Sequence, residues 1–273
     1  MKKKYLALFL AAALGCSLLA GCGGTSDEAE GGEETTELVY AVEAGSAGEA
    51  AAAEQGWSVN AVASQADALM EVASGTSDAA IIDLLMAGAM IGEGTSYPNL
   101  TYTDKLTTEE YGAGCRQGSD LADFINYVFA DTYSTGELQE IATTYGVQEA
   151  LCEQDTEGMG DFIFSEDADS DIAYIREKGT LIVGITDFAP MDYKDETGNW
   201  IGFDADMAKL VAEKLGVQVQ FVEIDWDNKI MELDSKNIDV VWNGMTLTNE
   251  VLGAMTCTVA YCNNAQVVVV PAE

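Results

Sequence analysis

Short apolar runs alternate with helix-period segments along the chain from residue 38 onward. Leu38 to Val42 predicts a strand, and Gly45-Ser46-Ala47-Gly48 a turn into an alanine-rich helix. Val59 to Ala63 predicts a second strand. Ala66, Leu69, Met70 and Ala73 then fall at helical spacing, and Gly75 ends that helix. Asp78 to Ile82 predicts a third strand, followed by an apolar helix from Leu84 to Ile91. Alternation of this kind predicts a mostly parallel sheet covered by helices.

Two helices come next. Leu121, Phe124, Ile125, Val128 and Phe129 share one apolar face, and Leu138, Ile141, Ala142 and Tyr145 share another. Residues 152–171 are acidic with no sustained period, which predicts a surface connector. The alternation then resumes with a helix from Ile172 to Lys178 and a strand from Leu181 to Ile185. Met207, Leu210, Val211 and Leu215 mark a helix stopped by Gly216. Val217 to Ile224 and Asp239 to Asn243 predict strands on either side of a short helix, Asp227 to Leu233. The β-branched run Gln266 to Val270 predicts a strand buried on both faces. Two α/β units predict two lobes with a cleft, where ligands bind at the carboxyl ends of strands.

The N-terminus reads as an address. Lys2, Lys3 and Lys4 precede an apolar run from Tyr5 to Leu14, and Leu19-Ala20-Gly21 places small residues before Cys22. That pattern predicts a lipoprotein signal over residues 1–21, with Cys22 as the lipidation site; an ordinary signal with a chance cysteine is the alternative. The run is shorter than the ~20 residues a membrane span requires. Residues 22–37 are rich in Gly, Thr, Ser and Glu, which predicts an acidic flexible tether. The predicted location is the extracytoplasmic face of a cell membrane, through a lipid anchor.

Charge narrows the partners. The formal net charge is −35, and losing the three signal lysines takes it to −38. Nucleic acid is excluded as a partner, because its binding relies on Lys and Arg neutralising phosphates. The chain has no histidine, which removes Ser-His-Asp and Cys-His sites and the commonest metal ligand. No metal site and no cofactor are predicted. Cys115, Cys152, Cys257 and Cys262 remain after the signal, and their spacing leaves free thiols and disulfides both open.

Four motifs together resemble the polar amino-acid family (family 3) of the extracytoplasmic solute-binding proteins that serve ABC importers. They are Gly202-Phe203-Asp204-x-Asp206 before a helix; Asn243-Gly244-Met245-Thr246-Leu247-Thr248-Asn249-Glu250; Gly75-x-x-Asp78-Ala79-Ala80-Ile81-Ile82-Asp83; and Tyr111-Gly112-x-Gly114 running into Gly118-Ser119. The resemblance implies an α/β, two-lobed periplasmic-binding-protein-like fold of type II with its ligand cleft between lobes. The segment order differs from the family, so the fold is expected to be circularly permuted. Lobe 2 is expected at 38–115 and lobe 1 at 116–273, with the acidic connector 152–171 joining the ancestral termini. A single covalent link between lobes is expected around Tyr111 to Gly118, with Gln266 to Val270 pairing beside it.

The resemblance also implies ligand positions. Phe188 and Trp226 match aromatics that sandwich the ligand side chain, with core packing as the alternative for each. Gly244 would offer its carbonyl to an α-ammonium, and Thr246 its N–H and hydroxyl to an α-carboxylate. Asp83 matches the carboxylate that pairs with the α-ammonium, with a helix N-cap as the alternative. Ser46, Ala47 and Gly48 would present free N–H groups to a carboxylate. One position departs from the family: Val251 stands where an arginine usually clamps the α-carboxylate, and neither Arg116 nor Arg176 matches that place. Lys229 is the cation that could help if its helix start faces the cleft. The implied function is a monomeric, lipid-anchored receptor that captures a small amino-acid-like ligand and delivers it to an ABC permease. It is not expected to be an enzyme. A sensing or surface-binding module is the alternative, and a dehydratase-like enzyme on the same fold a more distant one.

Overall fold

The computed structural model describes residues 37–272 apart from 159, 166 and 168. The predicted signal, Cys22 and nearly all of the tether lie outside the described residues. Strands and helices alternate first as β1 (Val39–Glu43), α1 (Ala47–Gln55), β2 (Ser58–Val62), α2 (Gln65–Ser74), β3 (Ala79–Asp83), α3 (Leu84–Met90) and β4 (Leu100–Lys105). Two short strands, β5 (Glu109–Tyr111) and β6 (Gly114–Cys115), lead to α4 (Leu121–Thr135) and α5 (Glu137–Thr144). Beyond them come α6 (Asp171–Lys178), β7 (Thr180–Ile185), β8 (Tyr193–Lys194), β9 (Trp200–Ile201), α7 (Phe203–Leu215) and β10 (Gln218–Glu223). The last elements are α8 (Lys229–Asp234), β11 (Val240–Val241), α9 (Asn249–Ala254), β12 (Thr256–Cys257), β13 (Cys262–Asn264) and β14 (Gln266–Pro271). Among the described residues no helix is long and apolar enough to cross a membrane.

Most predicted elements form within a residue or two of where the pattern puts them, because the caps are local. Ser46 Oγ accepts from the Glu49 N–H, and Ser64 Oγ accepts from the Asp67 N–H, fixing the starts of α1 and α2. Beyond its cap, α2 turns an apolar face inward: Ala68, Leu69 and Val72 are buried against the sheet.

Two five-stranded sheets make two α/β lobes. The first has the order β2-β1-β3-β14-β4, and the second β10-β7-β11-β6-β12. Neither is mostly parallel. In the first, β1 runs parallel to β2 and β3, whereas β14 is antiparallel to β3 and β4. In the second, β7 runs parallel to β10 and β11, whereas β6 is antiparallel to β11 and β12. The reason is connectivity. Strands β14 and β6 belong to chain segments arriving from the other lobe, so they enter each sheet against its own βαβ direction. Strand β14, between β3 and β4, is nevertheless buried along Gln266 to Val269, as its β-branched run predicts.

Three expectations about the lobes are corrected by this topology. The boundary at 115/116 does not divide the sheets: Gly114–Cys115 lies in the second sheet, and Gln266–Pro271 completes the first. The chain therefore passes between sheets twice, from β4 to β6 and from β12 to β14, so the covalent link is double and not single. Gln266 to Val270 does not pair beside Tyr111 to Gly118, either. The residues that do are Cys262–Asn264, with Cys262 opposite Tyr111 and Asn264 opposite Glu109. The two crossings are zipped into a short antiparallel ribbon at the hinge, while β14 runs on into the sheet and finds apolar partners on β3.

The segment before α6 is an anchored strap. It carries no helix or strand from Cys152 to Ser170 apart from its undescribed positions. Phe162 and Phe164 nevertheless stack near Phe124 of α4, with ring centroids 4.9 and 5.6 Å away, while Ile163 between them is 89% exposed. Arg176 caps Phe164, its guanidinium carbon 4.5 Å from the ring centroid. The second lobe is also tied by Arg116. Its Nε donates to Asp171 Oδ2 at 3.0 Å, Nη1 to the Ile238 carbonyl at 2.7 Å, and Nη2 to Asp239 Oδ1 at 3.3 Å. Cys115, Cys152, Cys257 and Cys262 are free thiols.

Candidate functional site

A cavity of about 310 Å³ opens between the lobes. The first lobe contributes the carboxyl ends of β1 and β3 and the start of α1. The second contributes the start of α8 and the turn after β11. Six of the expected residues line it: Ser46, Ala47, Asp83, Trp226, Gly244 and Thr246.

Asp83 ends the apolar strand β3 and is buried. It accepts hydrogen bonds from the Tyr111 hydroxyl at 2.7 Å, the Gln266 amide at 3.1 Å, and the amides of Gln65 and Asn264. Although it precedes α3, its side chain makes no cap hydrogen bond, so the N-cap alternative falls. Burial first, and the nearby Glu109 second, push its carboxyl up to about 7; the surrounding donors hold it down from a higher value.

Glu43, which none of the four motifs contains, ends β1 and lines the same wall. It is 3% exposed, and its Oε1 has no hydrogen-bond partner. Burial and then the Asp83 charge push it up to about 8, against the pull of Lys229 and of the Thr186 and Gln65 side chains. A signal for it exists in the chain. A charged residue closing the run Val39-Tyr40-Ala41-Val42 sits at the carboxyl end of a parallel strand, where ligands bind.

The opposite wall is built around Gly244 and Trp226. Gly244 adopts φ +58°, and a Cβ there would lie 2.2 Å from Phe188 Cε1. Only glycine lets the backbone lie flat on that ring. The Gly244 N–H donates to Asp204 Oδ2 at 2.7 Å, and the Tyr261 hydroxyl donates to the same oxygen at 2.7 Å. Asp204 is the first acid of the Gly202-Phe203-Asp204 motif, so that motif holds the cavity wall from beneath. Burial pushes Asp204 up to about 7, and pushes the adjacent Asp192 well above the usual carboxylate range.

Two expected ligand positions do not reach the cavity. Phe188 is 2% exposed and packs under Gly244, with Tyr111 edge-on at 6.3 Å. It supports the wall and does not face a ligand, so of the two aromatics only Trp226 is a lining residue. Gly48 lies one step into α1, where a Cβ would sit 2.9 Å from the Ile81 carbonyl. Its role is close helix–sheet approach. Thr246 does line the cavity, but its hydroxyl donates to Glu109 Oε2 at 3.1 Å.

Lys229 faces the cleft. Its Nζ donates to the Gly45 carbonyl at 2.9 Å, which joins the two lobes, and to the Trp226 carbonyl at 3.1 Å, and it lies 5.0 Å from the Trp226 ring centroid. Burial lowers its pKa against the raising effect of Glu250, Glu43 and other acids. The lobes meet closely here: a Cβ on Gly45, at φ +70°, would come 2.7 Å from Asp227 Cα. Val251 also lines the cavity, packed with Trp226, Leu233 and Met245. No arginine replaces the missing clamp, since Arg116 is committed to Asp171 and Asp239 and Arg176 to the Phe164 ring.

Part of the chain is similar to known proteins. Residues 181–273 match the family profile of the bacterial extracellular solute-binding proteins, family 3. The L-cystine-binding protein TcyJ of Escherichia coli (strain K12) is 36% identical over 77 residues, which is 28% of this chain and 29% of that protein. The cyclohexadienyl dehydratase of Pseudomonas aeruginosa is 35% identical over 77 residues, again 28% of this chain and 29% of that one. Among solved structures, an ancestral cationic amino acid solute-binding protein shares 42% identity over 31% of this chain and 37% of its own, with a TM-score of 0.30. The chain thus spans under a third of the length of these curated relatives. The span that resembles the bacterial extracellular solute-binding proteins of family 3, residues 181–273, contains the glycine wall of the cavity.

Proposed function

We propose that the chain is an extracytoplasmic receptor that captures a small amino-acid-like solute between its lobes and delivers it to an ABC permease. One observation carries this reading: a cavity of about 310 Å³ lies between two lobes, in a chain whose residues 181–273 match the family-3 profile. That volume suits a ligand of amino-acid size. Asp83 receives the ligand's ammonium, the Gly244 carbonyl accepts a second N–H, and the Trp226 ring packs on the ligand's body. Ser46, Ala47 and the Thr246 N–H complete the polar contacts. Hinge bending about the β5–β13 ribbon opens and closes the cleft.

The same reading includes a monomer held at the outer face of the membrane by acyl chains on Cys22. It also includes a circular permutation relative to the family. Support for the permutation is that the family match begins at Leu181, whereas strands β1 to β3 of the companion sheet precede it. Rejoining the segments in family order should give a protein that folds and binds the same solute; loss of folding on reordering would count against it.

The function is tested by thermal shift on stripped protein with a panel of amino acids, amines and short peptides. A ligand at 100 times its Kd stabilises by about 2.7 kcal/mol. The expected result is a shift with at least one small zwitterion or amine. No shift with any of them overturns the reading. A dehydratase-like activity has one observation behind it, the two carboxyls Glu43 and Asp83 held near neutral pKa in one cavity. Turnover of a cyclic hydroxy acid would establish it, and binding without turnover is the outcome expected.

A further inference from the structure

The charges around the cavity do not suit a zwitterion. Glu43, Glu54, Asp83 and Glu250 line it, and Glu109 stands behind Asp83. Lys229 is the one cation among the lining residues. Two of its hydrogens already go to the Gly45 and Trp226 carbonyls. Part of the start of α1 is also taken: the Gly45 N–H donates to Glu49 Oε2 at 2.7 Å, and the Glu49 N–H to Ser46 Oγ at 3.2 Å. A ligand carboxylate would face Glu54 and Glu250, beside two buried carboxyls that a further negative charge makes harder to ionise, with no guanidinium to receive it.

An ammonium finds the reverse. Asp83 already accepts from four donors, three of them on Oδ1 and one on Oδ2, whereas Glu43 Oε1 is buried and unpartnered at the cavity wall. A buried acceptor left without a donor is costly, so a ligand N–H that reaches it contributes more than an exchange with water would. The Trp226 ring supplies a face that attracts cations, as the placement of Lys229 over it already demonstrates.

We propose that the cavity takes a primary amine without a free α-carboxylate, its ammonium seated against Glu43 Oε1 and Asp83, with the carbon chain on Trp226. This rests on the receptor reading above and narrows its ligand class. It makes Glu43 the specificity-determining residue.

Matched pairs differing only in the α-carboxylate test it: cadaverine against lysine, agmatine against arginine, tyramine against tyrosine. The full chain is unfolded, dialysed, refolded and titrated by calorimetry. At least one amine is expected to bind roughly ten-fold or more tightly than its parent acid. Glu43→Gln, nearly isosteric, is expected to weaken that amine by roughly ten-fold or more. A parent acid binding as tightly as its amine in every pair overturns the proposal and leaves the receptor reading standing. Unchanged amine affinity in Glu43→Gln overturns it too. Heat from none of the six compounds overturns both. The wild-type pairs decide the ligand class even if the variant fails to refold, which far-UV circular dichroism reports.

Discussion

Replacing Gly244 by alanine tests the wall of the cavity. The new methyl would lie 2.2 Å from Phe188 Cε1 and 3.1 Å from Cδ1. Phe188 has little room to retreat, being 2% exposed with Tyr111 against it. Forcing a methyl into such packing costs about 1–3 kcal/mol. The backbone at φ +58° adds about 1–2 kcal/mol for any L side chain. The expected loss is therefore roughly 2–5 kcal/mol. Gly75→Ala separates the two contributions: Gly75 sits at φ +76° with nothing within 4 Å of an added Cβ, so it carries the backbone cost alone. Urea unfolding followed by circular dichroism measures both variants. Gly244→Ala should lose about 1–3 kcal/mol more than Gly75→Ala. Adding Phe188→Leu to Gly244→Ala should cost less than the two single losses combined, because the shorter side chain relieves the collision. Equal losses in Gly244→Ala and Gly75→Ala would refute the packing argument.

Stability should fall as pH rises. Folding holds protons on Glu43 up to about 8 and on Asp83 and Asp204 up to about 7, whereas unfolded carboxyls release theirs near 4. The folded state binds more protons in that window, so this stability is present below about pH 4 and lost as pH climbs through about 8. Unfolding midpoints measured from about pH 5 to pH 9 should decline steadily; a rise over that range would contradict the burial of these groups. Arg116→Met leaves the fully buried Asp239 with Lys178 alone and Asp171 without an ion partner, and should cost about 3–5 kcal/mol in urea unfolding. Lys229→Met removes the hydrogen bond to the Gly45 carbonyl across the cleft, so small-angle scattering should show a larger radius of gyration; an unchanged radius would mean the lobes are held by other contacts.

Much of this architecture was legible in local pattern. The starts of α1 and α2 are capped by Ser46 and Ser64, α1 is rich in alanine and α2 repeats its apolar residues at helical spacing, so both are legible. What failed depended on pairing between distant segments. The hinge ribbon of Cys262–Asn264 with Glu109–Tyr111 joins residues about 150 apart, and nothing in either three-residue strand announces its partner. For the same reason the lobe of β14 is not legible in its own residues: Val267-Val268-Val269 reads as a buried strand, but a buried strand fits either sheet. Phe162 and Phe164 lie in an acidic stretch where two aromatics spaced by one residue gave no period to detect. At the site, motif residues such as Asp83 and Gly244 line the cavity. Phe188 does not, and an aromatic after a strand reads alike whether it faces a ligand or the underside of a glycine. Glu43 was missed because no motif contains it, and only the folded wall reveals that its Oε1 lacks a partner.

The central claim is that the interlobe cavity holds the solute. A crystal structure of the protein with the tightest compound from the binding panel tests this most directly. The account predicts an ammonium nitrogen within about 3 Å of a carboxylate oxygen of Glu43 or Asp83, with the ligand's carbon chain against Trp226. A compound bound elsewhere, with the wall between Asp83 and Gly244 untouched, would contradict it.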